Sequence, residues 1–522
     1  MVVAAAAVGA TGATAPRAHA SASPAQAPTL ATTNITATTI DLGTLDGRHS
    51  KAIAVSGDLV VGVAHRTGSI DRAFAYDLSA AEPTMLDLGT LGAGQSAGTA
   101  VSGDLVVGWS DYDEDPDTSQ HAFSVDLGST EPVMQDLGTL GGDRSEAVAV
   151  DGSLVVGWSD TVSGNIHAFA YDVAAAEPAM LDLGTLGGTN SQATAIDDGL
   201  VVGWAHTGTS FGAHAFAYDL NAPAPAMQDL GALSASGSIA DDVSGNVVVG
   251  TSRNTDGHFR AFAVDLAAPD PTMRDLGTLG GTTSHAYSIS GTTVVGLART
   301  QYGATRPFAF DLAAPDPTMR DLGTLGGRFG SARAIAGDVV VGSSDIPAVG
   351  GRAFAYDLGS ADPRILDLSK VSSPDSLAWA VDGDVVDGSQ RVSDGYRRHA
   401  MAWVLHETTR PWIAFRSVVF EVEENAGRAI VTVTRAGRTD RAVTVRYRTR
   451  SDRAEAGQDF VATSGKLRFA RGVTQRRFTV RILDDRRGER TEPLVLILSR
   501  PSKPAVLGTP KVAVLRILRS DR

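Results

Sequence analysis

The side chains best suited to chemistry in this 522-residue chain are carboxylates. Asp111, Asp113, Asp115 and Asp117 alternate along one short run that also holds Glu114. Alternate carboxylates in a loop can converge on one hard cation such as Ca2+ through oxygen ligands. The run lacks the central Gly and distal Glu of an EF-hand loop, and a solvated acidic loop is the alternative reading. His121, His167, His214 and His399 each precede Ala in a recurring phrase. Arg takes their place in other copies, and each falls in a different copy, which argues against a metal role. With no cysteine there is neither a disulfide framework nor a thiol nucleophile. Neither a Gly-x-Ser-x-Gly elbow in a strand-turn-helix setting nor a His-Glu-x-x-His helix is present.

The elements that position these residues are set by repetition. Asp-Leu-Gly-Thr-Leu begins at Asp41 and returns, with small changes, at Asp87, Asp136, Asp182, Asp229, Asp275, Asp321 and Asp367, in steps of 46, 49, 46, 47, 46, 46 and 46 residues. Between these phrases come a short polar run, a Val-Val-Gly segment such as Asp104 to Trp109, and a His/Arg-Ala-Phe segment such as His121 to Leu127. All are short, Val-rich or alternating, and punctuated by Gly and Pro, which is the pattern of strands joined by tight turns. Four strands in about 46 residues is the size of one propeller blade.

The pattern opens with a lone fourth-type strand at Thr38 to Leu45 and ends at His399 to Leu405 with a third-type strand that lacks a successor. A ring in which the first strand completes the last blade gives eight blades and leaves no open edge. Seven blades with one degenerate repeat, the copy at 367–405, is the alternative. The repeated Phe is expected between blades. The glycine after Val-Val is expected to end a strand or to allow close blade approach, and the repeated Asp to form a turn. The joint recurrence of His-Ala-Phe, Asp-Leu-Gly-Thr-Leu-Gly-Gly and Gly-Asp-Leu-Val-Val-Gly over residues 36–405 resembles the bacterial extracellular repeats called HAF. That resemblance implies export and no defined activity.

After a linker at 406–412 the grammar changes. About seven alternating strands in residues 413–522 read as an antiparallel sandwich of immunoglobulin type. The phrases Glu423-Glu424-Asn425-Ala426-Gly427, Val443-Thr444-Val445-Arg446-Tyr447, Ala454-Glu455-Ala456-Gly457 and Leu483-Asp484-Asp485 resemble the Calx-beta domain. In calcium-binding members carboxylates cluster at one end of the sandwich. The resemblance carries that role to Glu424, Asp484, Asp485, Glu489 and Glu492. Two departures stand against it: Ser451 occupies one acidic position of the family, with Asp452 displaced by one, and the terminal acidic triplet reads Arg519-Ser520-Asp521. Arg486 and Arg487 add positive charge beside the site.

The whole chain is an all-β protein by this reading, with formal charge -14. Residues 413–522 carry 24 Lys+Arg against 12 Asp+Glu, whereas the rest carries 21 against 47. Arginines that alternate with apolar residues suit a solvated sheet face rather than nucleic acid. Residues 1–35 combine an apolar stretch with Ala18-His19-Ala20, the pattern of an export signal with cleavage near Ala20 or Ala27, or else an Ala/Pro-rich tail. No later run reaches the roughly 18 apolar residues of a spanning helix.

The functional expectation is a secreted or cell-surface, monomeric, non-catalytic interaction or adhesion protein. Its partner would be an extracellular protein or polysaccharide, with Ca2+ as the candidate ion. A propeller enzyme acting on an extracellular polysaccharide or phosphoester and a structural matrix component are the alternatives. Non-repeating His, Asp or Glu at the ring axis would favour the enzyme; repeat-equivalent residues there would favour the scaffold.

Overall fold

The computed structural model describes residues 35–518 except 68–69, 93, 113–118, 209–211, 235–236, 348–349, 361–362, 370–374, 393–396, 408–410, 437–440, 485–490, 504 and 509. The proposed export signal thus lies outside the described residues. The described chain is built of strands, with one short 3-10 turn at Glu424–Ala426 and no α-helix.

Eight four-stranded antiparallel sheets follow one another in residues 35–407. Sheet 1 comprises Ser50–Ser56, Leu59–Arg66, Ile70–Asp77 and Leu86–Asp87. Sheets 2 to 7 repeat this order, and sheets 2 and 3 are further joined by one parallel bridge between Gln120 and Arg144. Sheet 8 takes three strands from Ser376–Asp382, Val385–Arg391 and Arg398–Glu407, and its fourth from Ile35–Gly43. The pairing runs from Ile35 opposite Glu407 to Gly43 opposite Ala400. The copy at 367–405 therefore builds a full sheet, and the seven-sheet alternative does not form.

The repeated residues explain how sheet follows sheet. Phe74, Phe123, Phe169, Phe216, Phe262, Phe308 and Phe354 are fully buried, with Met401 in their place in sheet 8. Phe169 of sheet 3 packs against Val107 and Ala122 of sheet 2, and Phe74 of sheet 1 against Val385 and Ala402 of sheet 8. Burying such a ring contributes about 1.5–3 kcal/mol.

A buried serine ties seven of the eight junctions. Ser145 Oγ accepts the N–H of Ala122 at 2.8 Å and donates to the Gly138 carbonyl at 2.6 Å. Ser96, Ser191, Ser238 and Ser284 do the same, and Ser50 of sheet 1 accepts from Ala400 of sheet 8 at 2.7 Å. Between sheets 6 and 7 both partners change together: Pro307 has no N–H to offer, and the serine position is Gly330, where a Cβ would lie 2.9 Å from Pro307 Cδ.

The repeated Asp is a turn former in all eight copies, its Oδ1 accepting the N–H two residues on, as Gly138 to Asp136 at 2.7 Å. In six copies it also pairs with the His or Arg at the head of the His/Arg-Ala phrase in its own sheet. His121 Nδ1 lies 2.9 Å from Asp136, and His167, His214 and His399 meet Asp182, Asp229 and Asp41 in the same way. The histidines are spent on turns rather than gathered.

The Val-Val-Gly glycine departs from expectation. It sits mid-strand, and a Cβ on Gly62 would run into the Lys51 carbonyl of the neighbouring first strand. The close approach is thus within the sheet, where the first strand carries an extra residue. That bulge falls at one repeat position: Ile53, Thr99, Val148, Thr194, Asp241, Tyr287, Arg333 and, with Ala380, Trp379.

Residues 412–518 fold as two sheets of four and five strands. They enclose a core that includes Ile413, Phe415, Phe460, Phe469 and Leu515. The sequence reading missed two strands. Trp412–Phe415, whose first residue was assigned to the linker, pairs with Arg428–Ala436 and with the short Val506–Leu507.

Candidate functional site

The first strands of consecutive sheets contact one another in series, and Ser376–Asp382 of sheet 8 contacts Ser50–Ser56 of sheet 1. Seven of the sheet-to-sheet steps are also bridged at one strand-turn end. Gly103 N–H donates to Ser56 at 3.1 Å, Gly245 to Asp197 at 2.6 Å, and Gly57 to Asp382, 325 residues away, at 2.7 Å. The bulged residues stand on this inner series, and from sheet 5 round to sheet 1 they and their neighbours do not repeat.

Arg333 of sheet 7 holds its guanidinium 4.8 Å from the Tyr287 ring of sheet 6 and 5.7 Å from the Trp379 ring of sheet 8. Lys51 of sheet 1 places Nζ 4.5 Å from Trp379. His285 stacks beside Tyr287 with ring centroids 6.1 Å apart and tilts against Phe259 at 5.3 Å. Side chains from five consecutive sheets, 5 to 8 and 1, thus form one continuous arc of cations and aromatic rings. Such contacts are worth about 0.5–2 kcal/mol each.

Acidic groups stand at both ends of the arc. Asp241 of sheet 5 is pushed up to about 7 by burial, with a Thr251 hydrogen bond opposing and the neighbouring Asp242 adding to the rise. Thr251 Oγ1 lies 3.4 Å from both Asp241 Oδ2 and His285 Nδ1. Burial lowers His285, favouring its neutral form. At the other end Asp387 is fully buried at a position where the other seven sheets carry Val. Burial raises it to about 7, against the hydrogen bond from Ala380 N–H and the nearby Lys51 charge. Lys51 is in turn lowered by burial, with Asp387 opposing. On the opposite side of the series the bulges hold Thr99, Val148 and Thr194, and Thr99 and Thr194 are spent on carbonyls of the next sheet, Ala147 and Ala240.

None of this arc was predicted. The signal lay in the repeat alignment, where the columns of residues 51 and 53 vary while the alanine between them is Gly98 in one copy and Ala in the rest.

The predicted metal ligands fare differently. Asp111 ends the second strand of sheet 2, nearly buried, and its Oδ2 accepts the Gln95 N–H at 2.6 Å. The equivalent Asp345 accepts the Phe329 N–H at 2.7 Å, so this carboxylate braces a sheet connection instead of facing an open loop. Asp113, Asp115 and Asp117 lie outside the described residues, as do Asp485 and Glu489.

In the tail, Glu424 is buried at the start of the 3-10 turn, Asp484 is exposed and Glu492 opens a strand. Glu423 stands opposite Leu518 and Glu492 opposite Ile517, which brings Glu424 and Glu492 to the same end of the last strand. Ile482 N–H donates to Gly427 and Leu483 N–H to Asp459, tying Asp484 to that end as well. Yet no group of three or more His, Asp or Glu able to hold a metal is found among the described residues. Ca2+ takes six to eight oxygens, and the described carboxylates do not by themselves fit that shell.

Against known proteins, the Calx-beta domain model matches residues 406–521. The C-terminal sandwich is a Calx-beta domain. Over 102 residues the chain is 36% identical to the sodium/calcium exchanger Calx of Drosophila melanogaster, covering 20% of this chain and 11% of that protein. Over 115 residues it is 40% identical to extracellular matrix protein 3 of Lytechinus variegatus, covering 20% of this chain and 4% of that one. The chain therefore spans a small part of either relative. A prolyl endopeptidase structure superposes on 72% of this chain and 55% of its own at 12% identity and a TM-score of 0.44, a likeness that bears on neither activity nor substrate. No helix among the described residues is long and apolar enough to cross a membrane.

Proposed function

We propose that residues 35–407 form a closed eight-bladed propeller of the HAF-repeat kind. In this reading it acts at the cell surface or outside the cell as a non-catalytic recognition ring, with the Calx-beta domain as its attached module. The observation that carries this reading is the division of labour among polar side chains. The repeated Ser, Asp and His are consumed in hydrogen bonds within and between sheets. The axial arc through Lys51, Trp379, Arg333 and Tyr287 varies from blade to blade and closes no turn or junction. Non-repeating residues on a rigid, repeated frame are how a ring presents a specific surface. The tail is the attached module in this reading, with Glu424, Asp484 and Glu492 brought to one end of its sandwich.

A second reading is favoured by Asp241, Thr251 and His285, which supply non-repeating titratable groups at the same axis, as an enzyme would need. Their 3.4 Å separations exceed the 2.6–3.2 Å of a working nucleophile and base. The two readings part on one experiment: the full chain is screened against an array of soluble polysaccharides, with reducing-end release followed in parallel. Binding lost in Trp379→Ala without any turnover supports recognition. Turnover abolished by His285→Ala or Asp241→Asn would replace it with the enzyme.

A further inference from the structure

Lys51 and Arg333 are cations with no hydrogen bond or ion pair to any described residue, in a ring that is otherwise strongly acidic. Their charged heads converge on one indole, at 4.5 and 5.7 Å from the Trp379 ring. Several cations of the propeller are matched, Arg66 by Asp87, Arg144 by Asp160 and Arg398 by Asp375, and what sets Lys51 and Arg333 apart is that both converge on one ring. The buried Trp379 Nε1–H also lacks an acceptor. Three donors of one small region are therefore unspent, and no acceptor on the described chain answers them. The groups facing them do not change that balance. Asp387 is pushed up to about 7 by burial, so much of it is protonated near neutral pH. Its Oδ1 is taken by Ala380 N–H, and it forms no ion pair with Lys51. Tyr287 is raised by burial and stays a neutral phenol, while Arg398 adds positive charge beside Lys51.

We infer that the axial arc is an oxyanion site, resting on the recognition reading above. Lys51 Nζ, the Arg333 guanidinium and Trp379 Nε1–H would donate to a carboxylate or sulfate group borne by an acidic saccharide that enters along the ring axis. A planar guanidinium and a point-like ammonium together suit a group with two or more oxygens. The acidic remainder of the ring would repel a densely charged polymer away from the axis, so selection falls on one anionic group held among aromatic faces.

The test titrates the full chain with trigalacturonate, inorganic sulfate and neutral cellotriose. Binding is read by calorimetry and by indole emission, with Trp379→Phe identifying the reporting residue. Trigalacturonate is expected to bind and to weaken as NaCl rises from 50 to 500 mM. Arg333→Gln and Lys51→Met should each weaken it roughly ten- to hundredfold, with a single cooperative melting transition retained by Arg333→Gln, whose side chain is exposed. Sulfate binding alone would place the site's preference with the free ion and overturn the saccharide part. Cellotriose binding that needs Trp379 but ignores salt and Arg333→Gln would overturn the oxyanion inference and leave the recognition ring standing. No effect of any of the three ligands on Trp379, or equal binding by both variants, would overturn the oxyanion site outright.

Discussion

Asp387→Asn isolates the energetic cost of one departure from the repeat. Seven sheets place Val at this inner position; sheet 8 places a fully buried carboxyl there. Its Oδ1 accepts the Ala380 N–H at 2.9 Å, and Oδ2 has no partner. Burial lifts it from 3.8 to about 7. An acid whose folded value is raised binds more protons folded than unfolded between those two values. Stability therefore falls as pH rises from about 4 to about 7 and is level above. The separation corresponds to about 4 kcal/mol lost by pH 8. Asn keeps the acceptor for Ala380 and cannot ionise. Relative to the natural protein it should be nearly neutral at pH 4 and more stable by up to about 4 kcal/mol at pH 8. Urea unfolding of both proteins at whole pH values from 4 to 8 measures this, and the other raised acids, Asp241, Asp242, Glu146 and Asp367, cancel in the difference. A difference that stays flat with pH, or that grows towards acid, would refute the buried-charge argument.

Other consequences are as direct. Phe169→Ala opens a cavity between sheets 2 and 3 and should cost about 3–5 kcal/mol in chemical unfolding. Gly330→Ser and Pro307→Ala are each expected to destabilise by about 1–3 kcal/mol, the first by collision with the ring, the second by a buried N–H without an acceptor. Together they rebuild the serine junction seen in the other sheets, so a double-mutant cycle should show a favourable coupling of about 1–3 kcal/mol. Deleting Ile35–Gly43 bares the edge of Arg398–Glu407 and removes the buried Leu42; size-exclusion chromatography should show aggregation beyond whatever species the full chain forms. Burial works against ionisation of Asp136, but the His121 and Gly138 hydrogen bonds outweigh it and hold the carboxyl below its usual range. Its stabilisation is present above about pH 4 and is lost as pH falls through the lowered value, and His121→Asn should reduce that acid sensitivity.

What could be read from the sequence follows from how many times it was stated. Strand order, sheet number and the pairing of Ile35–Gly43 with the last sheet were legible because eight copies share one grammar and the two ends of the array are complementary. The buried Phe and turn-forming Asp were legible for the same reason. The His to Asp pair was missed although both residues recur, because 15 residues separate them and only the register of the third and fourth strands brings them together. Trp412–Phe415 was missed because four residues without alternation carry too little signal, and it becomes a strand through Arg428–Ala436 beside it. The axial arc is the instructive case. A repeat alignment draws the eye to constant columns, and here those columns are the frame: serine and aspartate held by backbone groups within and between sheets, and phenylalanine packed against the aliphatic residues of the preceding sheet. The variation falls where eight equivalent positions need not agree, at a bulge whose extra residue takes no part in the strand register. That position holds Ile, Thr, Val and Thr on one side and Asp, Tyr, Arg and Trp on the other. The series of sheets is therefore regular in its scaffold and varied at its bulges, which is why the repeat made the first legible and left the second to be found from the register.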